Sequence, residues 1–307
     1  MKWTADQIPD QSGRTAVVTG ANSGLGLVTA RELARRGASV VLACRNTDKG
    51  DDAKREIESA VPGAKVEVAA LDLSNLESVH AFAEGPAPGA IDLLVNNAGI
   101  MATPRHETAD GFELQLGTNH LGHFALTGVL LERLEGRDDA RVVTLSSGAH
   151  RMGKINFDDL GGERRYNRWR AYGQSKLANL LFMLELDRRL RAAGSRVKSV
   201  GAHPGYAATN LQSTGPPRFD RLVMVVGNKV LAQSAEMGAL SPLYAATEPN
   251  VEGGTYVGPD GIAEQRGHPE PVTPSGAARD EQTARRLWEV SEELTGVRFK
   301  LPAEAAA

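Results

Sequence analysis

Between Thr15 and Ala202 short apolar runs alternate with stretches of helical periodicity, and that alternation leaves few folds open to the chain. Thr15–Thr19 is rich in β-branched residues and ends in Gly20. Residues 25–36 follow a helical pattern, with Leu25, Val28, Ala30, Leu33 and Ala34 set between charges and Gly37 as a natural stop. Residues 39–43 are a second strand, and 48–60 a charged amphipathic helix stopped by Val61-Pro62-Gly63. Then follow a strand over 66–71, a helix over 75–83, a strand over 91–95 and a helix over 112–135. A fifth strand at 141–145, a long helix at 171–193 and a sixth strand at 196–202 complete the series. Continuous apolar strands belong to a parallel sheet buried on both faces, and their alternation with helices is the βαβ signature. The expected fold is α/β: a doubly wound parallel sheet of about seven strands, with helices on both faces and right-handed crossovers. Ligands then bind beyond the carboxyl ends of the strands, where the strand order reverses.

With 307 residues, 41% of them hydrophobic and 24% charged, the chain has the balance of a soluble globular protein and can bury a sizeable core. No apolar run approaches a membrane span; the best, residues 222–226, is closed by Gly227-Asn228-Lys229. Residues 1–11 carry charges and Pro9 but no apolar stretch, so no signal peptide is expected. The single cysteine, Cys44, excludes an internal disulfide and a cysteine-based zinc cage, and it suits a reducing, cytoplasmic setting. A net charge of −3 gives no global reason to bind nucleic acid or an anionic membrane. There is no internal repeat, and the only low-complexity stretch is Ala305-Ala306-Ala307. Residues 253–276 are dense in Gly, Pro and Glu and read as loop, whereas 279–295 read as an amphipathic helix with Ala284, Leu287, Trp288 and Leu294 on one side. One domain over 1–307 is expected: a core of about 13–258 and a short C-terminal extension, about 259–307, packed on it.

Thr19-Gly20-Ala21-Asn22-Ser23-Gly24-Leu25-Gly26 joins the first strand to the first helix. Its glycines allow a tight turn and let a phosphate reach the backbone at a helix N-terminus. The spacing, Gly-xxx-Gly-x-Gly, differs from the G-x-G-x-x-G fingerprint. Such a cluster alone fits any turn that needs positive φ; the strand before it and the helix after it favour a phosphate site. The second strand ends at Cys44-Arg45, where a carboxylate would take a ribose 2′-hydroxyl. Arg45 suits a 2′-phosphate instead, through charge-assisted hydrogen bonds, which points to NADP(H); a solvated loop arginine also fits. Asp72, before Leu73, sets a carboxylate at the end of the third strand, near where an adenine would lie. Asn96-Asn97-Ala98-Gly99 ends the fourth, where small residues and amides let a flat cofactor pass close.

Tyr172-Gly173-Gln174-Ser175-Lys176 opens the long helix, with Tyr172 and Lys176 on one face. A free phenol, with a pKa of about 10, is a poor acid or base at neutral pH. A nearby ammonium favours phenolate, which is one way a tyrosine becomes a general acid/base. Taken alone, Tyr-xxx-Lys is common on helices. Ser146-Ser147 ends the fifth strand on the same rim, where a hydroxyl can stabilise charge developing on a carbonyl oxygen. No Gly-x-Ser-x-Gly elbow surrounds either serine, which disfavours hydrolase chemistry.

Together these residues resemble the short-chain dehydrogenase/reductase family. The matches run in family order over roughly residues 13–211: Thr-Gly-xxx-Gly-x-Gly (19–26), Asp72, Asn-Asn-Ala-Gly (96–99), Asn119, Ser147, Tyr-xxx-Lys (172–176) and Pro204-Gly205. Ala-Cys-Arg-Asn (43–46), Asn-His-Leu-Gly-His-Phe (119–124), Tyr-xxx-Ser-Lys-Leu-Ala-Asn (172–179) and the long stretch from Ser147 to Tyr172 resemble its retinol-dehydrogenase-like and protochlorophyllide-reductase-like branch. The resemblance implies a Rossmann fold and hydride transfer between a nicotinamide and a carbonyl or alcohol carbon. It implies that Tyr172 exchanges the proton, that Lys176 lowers the phenol pKa and holds the ribose, and that Ser147 orients the carbonyl. Asn119 would support a proton-relaying water. Gly20, Asn22, Ser23, Gly24, Leu25 and Gly26 would form the pyrophosphate turn and Arg45 would meet the 2′-phosphate. Asp72 and Leu73 would face adenine, Asn97, with Ala98 and Gly99, its ribose, and Thr209, after Pro204 and Gly205, the carboxamide. One departure tempers the cofactor: Ala21, Asn22 and Ser23 stand where some NADP-using relatives carry a basic residue. Preference for NADP(H) then rests mainly on Arg45, and NAD(H) stays open.

Other features read as structural or stay open. His120 and His123 lack a zincin carboxylate, so packing is the better reading and no metal is expected. His150 is a candidate for the substrate mouth. Arg164, Arg165, Arg168 and Arg170, with Tyr166 and Trp169, read as a solvated loop anchored by Trp169 rather than an anion or nucleic-acid patch. Residues 206–237 hold Tyr206, Phe219, Leu222, Val223, Met224 and Met237; the family's corresponding segment covers the substrate, which suggests an apolar carbonyl or alcohol. Residues 172–193 are apolar on more sides than one interface needs, so a homodimer or homotetramer is expected, unless the C-terminal extension covers that surface. The competing functions are a catalytically silent NADP(H)-binding regulator and an epimerase or dehydratase. The presence of Asn119, Ser147, Tyr172 and Lys176 speaks against the first, and the glycine spacing and the short region after Pro204 against the second.

Overall fold

The structure, a computed structural model, describes residues 2–206 and 233–302. Its strands β1 (Thr15–Thr19), β2 (Ser39–Cys44), β3 (Lys65–Ala70), β4 (Leu93–Asn96), β5 (Arg141–Leu145), β6 (Lys198–Ala202), β7 (Tyr256–Pro259) and β8 (Pro269–Pro271) form one sheet in the order β3-β2-β1-β4-β5-β6-β7-β8. All neighbours are parallel except β7 and β8. Side chains alternate between the faces: Ala16 and Val18 enter one core, Val17 the other. That two-sided burial is why the strands read as unbroken apolar runs.

Helices α1 (Gly24–Arg35) and α2 (Thr47–Ala60) pack with α7 (Ala235–Thr247) on the first core. Helices α3 (Leu76–Glu84), α5 (Gly122–Leu130) and α6 (Arg168–Ala192) cover the other face, where α8 (Glu281–Thr295) adds Trp288. A short α4 (Leu114–Leu116) runs into α5 through a π-helical stretch, Gly117–Leu121. Trp288 of α8 stacks on Phe182 of α6 at 5.9 Å and meets Phe124 at 5.1 Å and Phe299 at 4.4 Å. The C-terminal extension therefore covers the apolar side of α6 that the sequence left without a partner.

Three expectations are corrected. The sheet has eight strands rather than about seven, because residues 253–276, read as loop, contain β7 and β8. These strands are short, and β8 carries Pro269 and Pro271, tolerated on an edge that needs few backbone donors. The eighth strand thus comes from the extension itself. Third, α6 starts at Arg168 rather than 171, because Asn167 Oδ1 accepts from Trp169 N and Arg170 N, both at 3.1 Å. Residues 207–232, with Thr209 and most of the expected substrate cover, lie outside the described residues.

Candidate active site

A cleft of about 1070 Å³ opens along the carboxyl ends of the strands. Its wall runs from Arg45, after β2, to Pro204 and Gly205, after β6. In the sheet order these strands are four spacings apart, about 19 Å. The strand order reverses between β1 and β4, inside that span.

Gly20, Asn22, Ser23, Gly24, Leu25 and Gly26 line the cleft. Gly26 has to be glycine: a Cβ there would stand 2.6 Å from Gly20 O and 2.5 Å from Asn97 Nδ2. The helix ends differ in a telling way. Asn46, Asn75, Asn167, Ser234 and Asp280 each cap a helix with their side chains. Ser23, before α1, makes no such bond. The first-turn N–H groups of α1 are thus left without a side-chain acceptor beside the cleft, which suits a pyrophosphate. Arg45 lines the cleft as expected, and Lys49, which sequence reasoning missed, lines it as a second cation, beside Asp52 and Glu56. Lys49 sits in the first turn of α2, four residues past Arg45. The uncapped turn, the close backbone approach and the two cations fit a phosphorylated dinucleotide.

Ser147, Tyr172 and Lys176 share one wall with Leu145 and Ser146. Lys176 Nζ donates to Leu145 O at 3.3 Å and lies 5.9 Å from the centre of the Tyr172 ring. Burial pushes the phenol of Tyr172 above its ordinary value, and a hydrogen bond with Ser147 opposes the rise. Burial also brings the Lys176 ammonium down to about 8. The Lys176 ammonium is thus held to a carbonyl oxygen on the same wall as the phenol.

Asn119 is fully buried in the π-helical stretch, a distortion common at functional sites. Its Oδ1 accepts from Ile100 N at 2.8 Å, and its Nδ2 donates to Ile100 O at 3.0 Å and to Ser175 Oγ at 2.9 Å. A Cβ on Gly99 would stand 3.2 Å from Asn119 Oδ1 and 3.4 Å from Lys176 Nζ, so both groups lie close to that residue. A histidine read only as packing completes the support. His123 Nδ1 faces Asn119 O at 3.0 Å and must carry the proton, which leaves Nε2 to accept from Thr19 Oγ1 at 2.9 Å. Thr19 Oγ1 in turn accepts from Asn97 N and Ala98 N, both at 2.9 Å. Burial holds the His123 pKa down, to about 4, so the ring is neutral and the chain of bonds keeps one sense.

The structure brings Asn97, Ala98 and Gly99 to the cleft, but not Asp72 and Leu73. Asp72 Oδ1 accepts from Ser74 N at 2.9 Å and Ser74 Oγ at 2.6 Å, and Leu73 is buried in the core. His150 is also buried away from the mouth, with Nδ1 on Ser147 O at 2.7 Å. His120 pairs with Ser291 of α8 at 3.0 Å, and among the described residues no group of His, Cys, Asp and Glu is arranged to hold a metal. In the arginine-rich stretch Arg164, Arg165 and Arg170 are exposed, while Tyr166 and Trp169 turn inward. Trp169 lines the cleft, and Tyr166 Oη is held by Thr103 O and Glu113 Oε1 at 3.0 Å and by Gln115 Nε2 at 2.8 Å. With Trp169 stand Ile100, Met101, Leu114 and Tyr206, an apolar and aromatic stretch of the wall beside Thr103 and Thr118. A signal for Trp169 was present: it lies three residues before Tyr172 on one helix face.

Residues 14–217 match the family model for short chain dehydrogenases. Human retinol dehydrogenase 12 is 43% identical over 294 residues, covering 94% of this chain and 88% of that protein. A solved structure from Mycobacterium paratuberculosis is 48% identical with a TM-score of 0.83, covering 98% of this chain and 100% of that one. Another, from Beutenbergia cavernae, described as an NAD(P)-dependent gluconate 5-dehydrogenase with NADP bound at low occupancy, is 27% identical with a TM-score of 0.57, covering 77% and 90%.

Proposed function

The chain belongs to the short chain dehydrogenase family of oxidoreductases, in its retinol-dehydrogenase-like branch, and from that premise we propose that it is an NADP(H)-dependent oxidoreductase of small apolar carbonyls or alcohols. One observation carries the reading: Ser147, Tyr172 and Lys176 share a wall of the cleft that also holds the glycine turn and Arg45. The bound nicotinamide would supply or take up the hydride. Tyr172 exchanges a proton with the substrate oxygen, and Ser147 orients that oxygen by hydrogen bonding. Lys176 brings positive charge to the ribose and the phenol, and Asn119, braced by His123, supports a water that relays protons to Lys176. Arg45 and Lys49 hold a 2′-phosphate, and the uncapped start of α1 holds the pyrophosphate.

The substrate class follows from the lining. Among the described residues, the charged groups of the cleft wall are Lys176 and the four on the β2–α2 side, Arg45, Lys49, Asp52 and Glu56. An uncharged, apolar substrate is therefore the one that Ile100, Met101, Leu114, Trp169 and Tyr206 would bury without loss. We read the chain as one domain in a cytoplasmic setting, on the packing of α8 against α6 and on the lone buried thiol of Cys44. Among the described residues no helix is long and apolar enough to cross a membrane. The homodimer or homotetramer expected from the apolar sides of α6 loses that ground, since α8 covers them.

Fluorescence titration with NADPH and NADH, wild type beside Arg45→Asp, tests the proposal. NADPH is expected to bind more tightly, and the substitution to weaken it about ten- to hundredfold and reverse the order. If neither dinucleotide binds, the oxidoreductase reading fails. Binding without turnover of any apolar ketone, aldehyde or alcohol leaves a silent NADP(H)-binding regulator.

A further inference from the structure

The turn that carries Glu264 is built against the ordinary preferences of the backbone. Ala263 and Glu264 stand at φ 52° and 57°, in the left-handed region, and neither is glycine. Two such residues in a row persist only where the surroundings over-determine them, and such outliers cluster at functional sites.

What the surroundings hold is the Glu264 carboxylate. Oε1 accepts from an Arg151 guanidinium nitrogen at 2.6 Å, and Oε2 lies 3.1 Å from His203 Nε2. Arg151 belongs to the 3-10 turn Gly148–Met152, which follows Ser147 directly. His203 precedes Pro204 and Gly205, two residues of the cleft wall. His203 Nδ1 accepts from Gly205 N at 3.3 Å, which puts the proton of a neutral ring on Nε2, beside the Glu264 carboxylate but out of line for a hydrogen bond to it. The contact with His203, and behind it the Arg151 charge, hold the Glu264 carboxyl below the ordinary range against the opposing pull of burial. The residue after Glu264 grips the same corner. Gln265 O accepts from Tyr206 N at 2.8 Å, and a Cβ on Gly205 would stand 2.4 Å from that oxygen. One turn thus ties together two pieces of chain that leave β5 and β6, and both border the cleft.

We propose that Glu264 is a positioning residue: it clamps the Pro204-Gly205 corner to the turn after Ser147 and so fixes the wall against which the nicotinamide end of a dinucleotide lies. The clamp sits at the end of the cleft far from Arg45, about four strand spacings away, so it acts on one half of the ligand only. It rests on the dinucleotide reading given above.

Two probes separate the halves: NADPH, and adenosine 2′,5′-bisphosphate, which lacks the nicotinamide end. Glu264→Gly removes the carboxylate and also relieves the left-handed backbone, so the melting temperature should equal or exceed that of wild type. Affinity for NADPH should nevertheless fall about tenfold, while affinity for the bisphosphate stays unchanged. Ala263→Gly relieves the neighbouring residue and keeps the carboxylate; it should melt no lower than wild type and bind both probes as wild type does. Arg151→Gln should give a smaller loss of the same selective kind. An equal loss for both probes in Glu264→Gly, or no loss for either, overturns the clamp, since a merely structural carboxylate would not distinguish the halves. A wild-type chain that binds neither probe overturns the dinucleotide reading and the clamp with it, and that outcome is seen before any variant is compared.

Discussion

Tyr172 is buried, and burial drives its phenol away from the range where it could trade protons at neutral pH. Ser147 opposes that drift, while Lys176, brought down to about 8, donates to Leu145 O rather than to the phenol. Tyr172→Phe keeps the ring and its packing but removes the exchangeable proton. Turnover should fall by about 10²–10⁴-fold with NADPH affinity close to wild type. Paired steady-state rates and fluorescence titration check this, and a wild-type rate would take Tyr172 out of the acid/base role. The residues legible from sequence were those whose role depends on local spacing: Gly20 to Gly26, and Tyr172 with Lys176 one helical turn apart. Thr19 and His123 were not, because their partners lie far along the chain: Thr19 Oγ1 meets His123 Nε2 across 104 residues. Asp72 stands off the cleft wall, its Oδ1 held by Ser74 two residues on.

At the level of elements, strands β1 to β6 were legible as apolar runs, and the segments between them as longer stretches of helical pattern. Helix α7 was not: most of it is buried, so it shows no polar stripe, and Pro242 interrupts the pattern that a helix usually keeps. Strands β7 and β8, of four and three residues, are too short for a period to register. The amphipathic α8 was legible, but not its full weight. Trp288 is 2% exposed and fills the space between Phe124, Phe182 and Phe299. Trp288→Ala should therefore cost about 3–5 kcal/mol of stability, near the upper end for a single substitution. Urea unfolding measures this, and a loss below about 1 kcal/mol would mean that α8 rests on α6 without holding it.

For the whole molecule, two buried histidines set a limit on the acid side. Burial, with the neighbouring His123 charge adding to it, brings His120 down to about 3. Burial also brings His123 down to about 4, with Lys176 acting in the same direction. An unfolded chain takes up protons on both rings near pH 6.5, and the folded chain refuses them until well below that. Their contribution to stability is thus intact above about pH 6.5 and is lost as the pH falls toward 4 and then 3. Replacing His120 by Gln should remove about one proton from the uptake on unfolding between pH 5 and 6, a change in slope of about 1.4 kcal/mol per pH unit. Unfolding curves at several pH values check it, and identical slopes would refute the buried neutral state. The covering of α6 by α8 has a further consequence, in biosynthesis. About 100 residues separate the end of α6 from the end of α8, roughly 5–20 s of translation. For that interval the aromatic side of α6 has emerged without its cover, so a weakened α8 would be felt first as aggregation of new chains in the cell, before any purified protein could be melted.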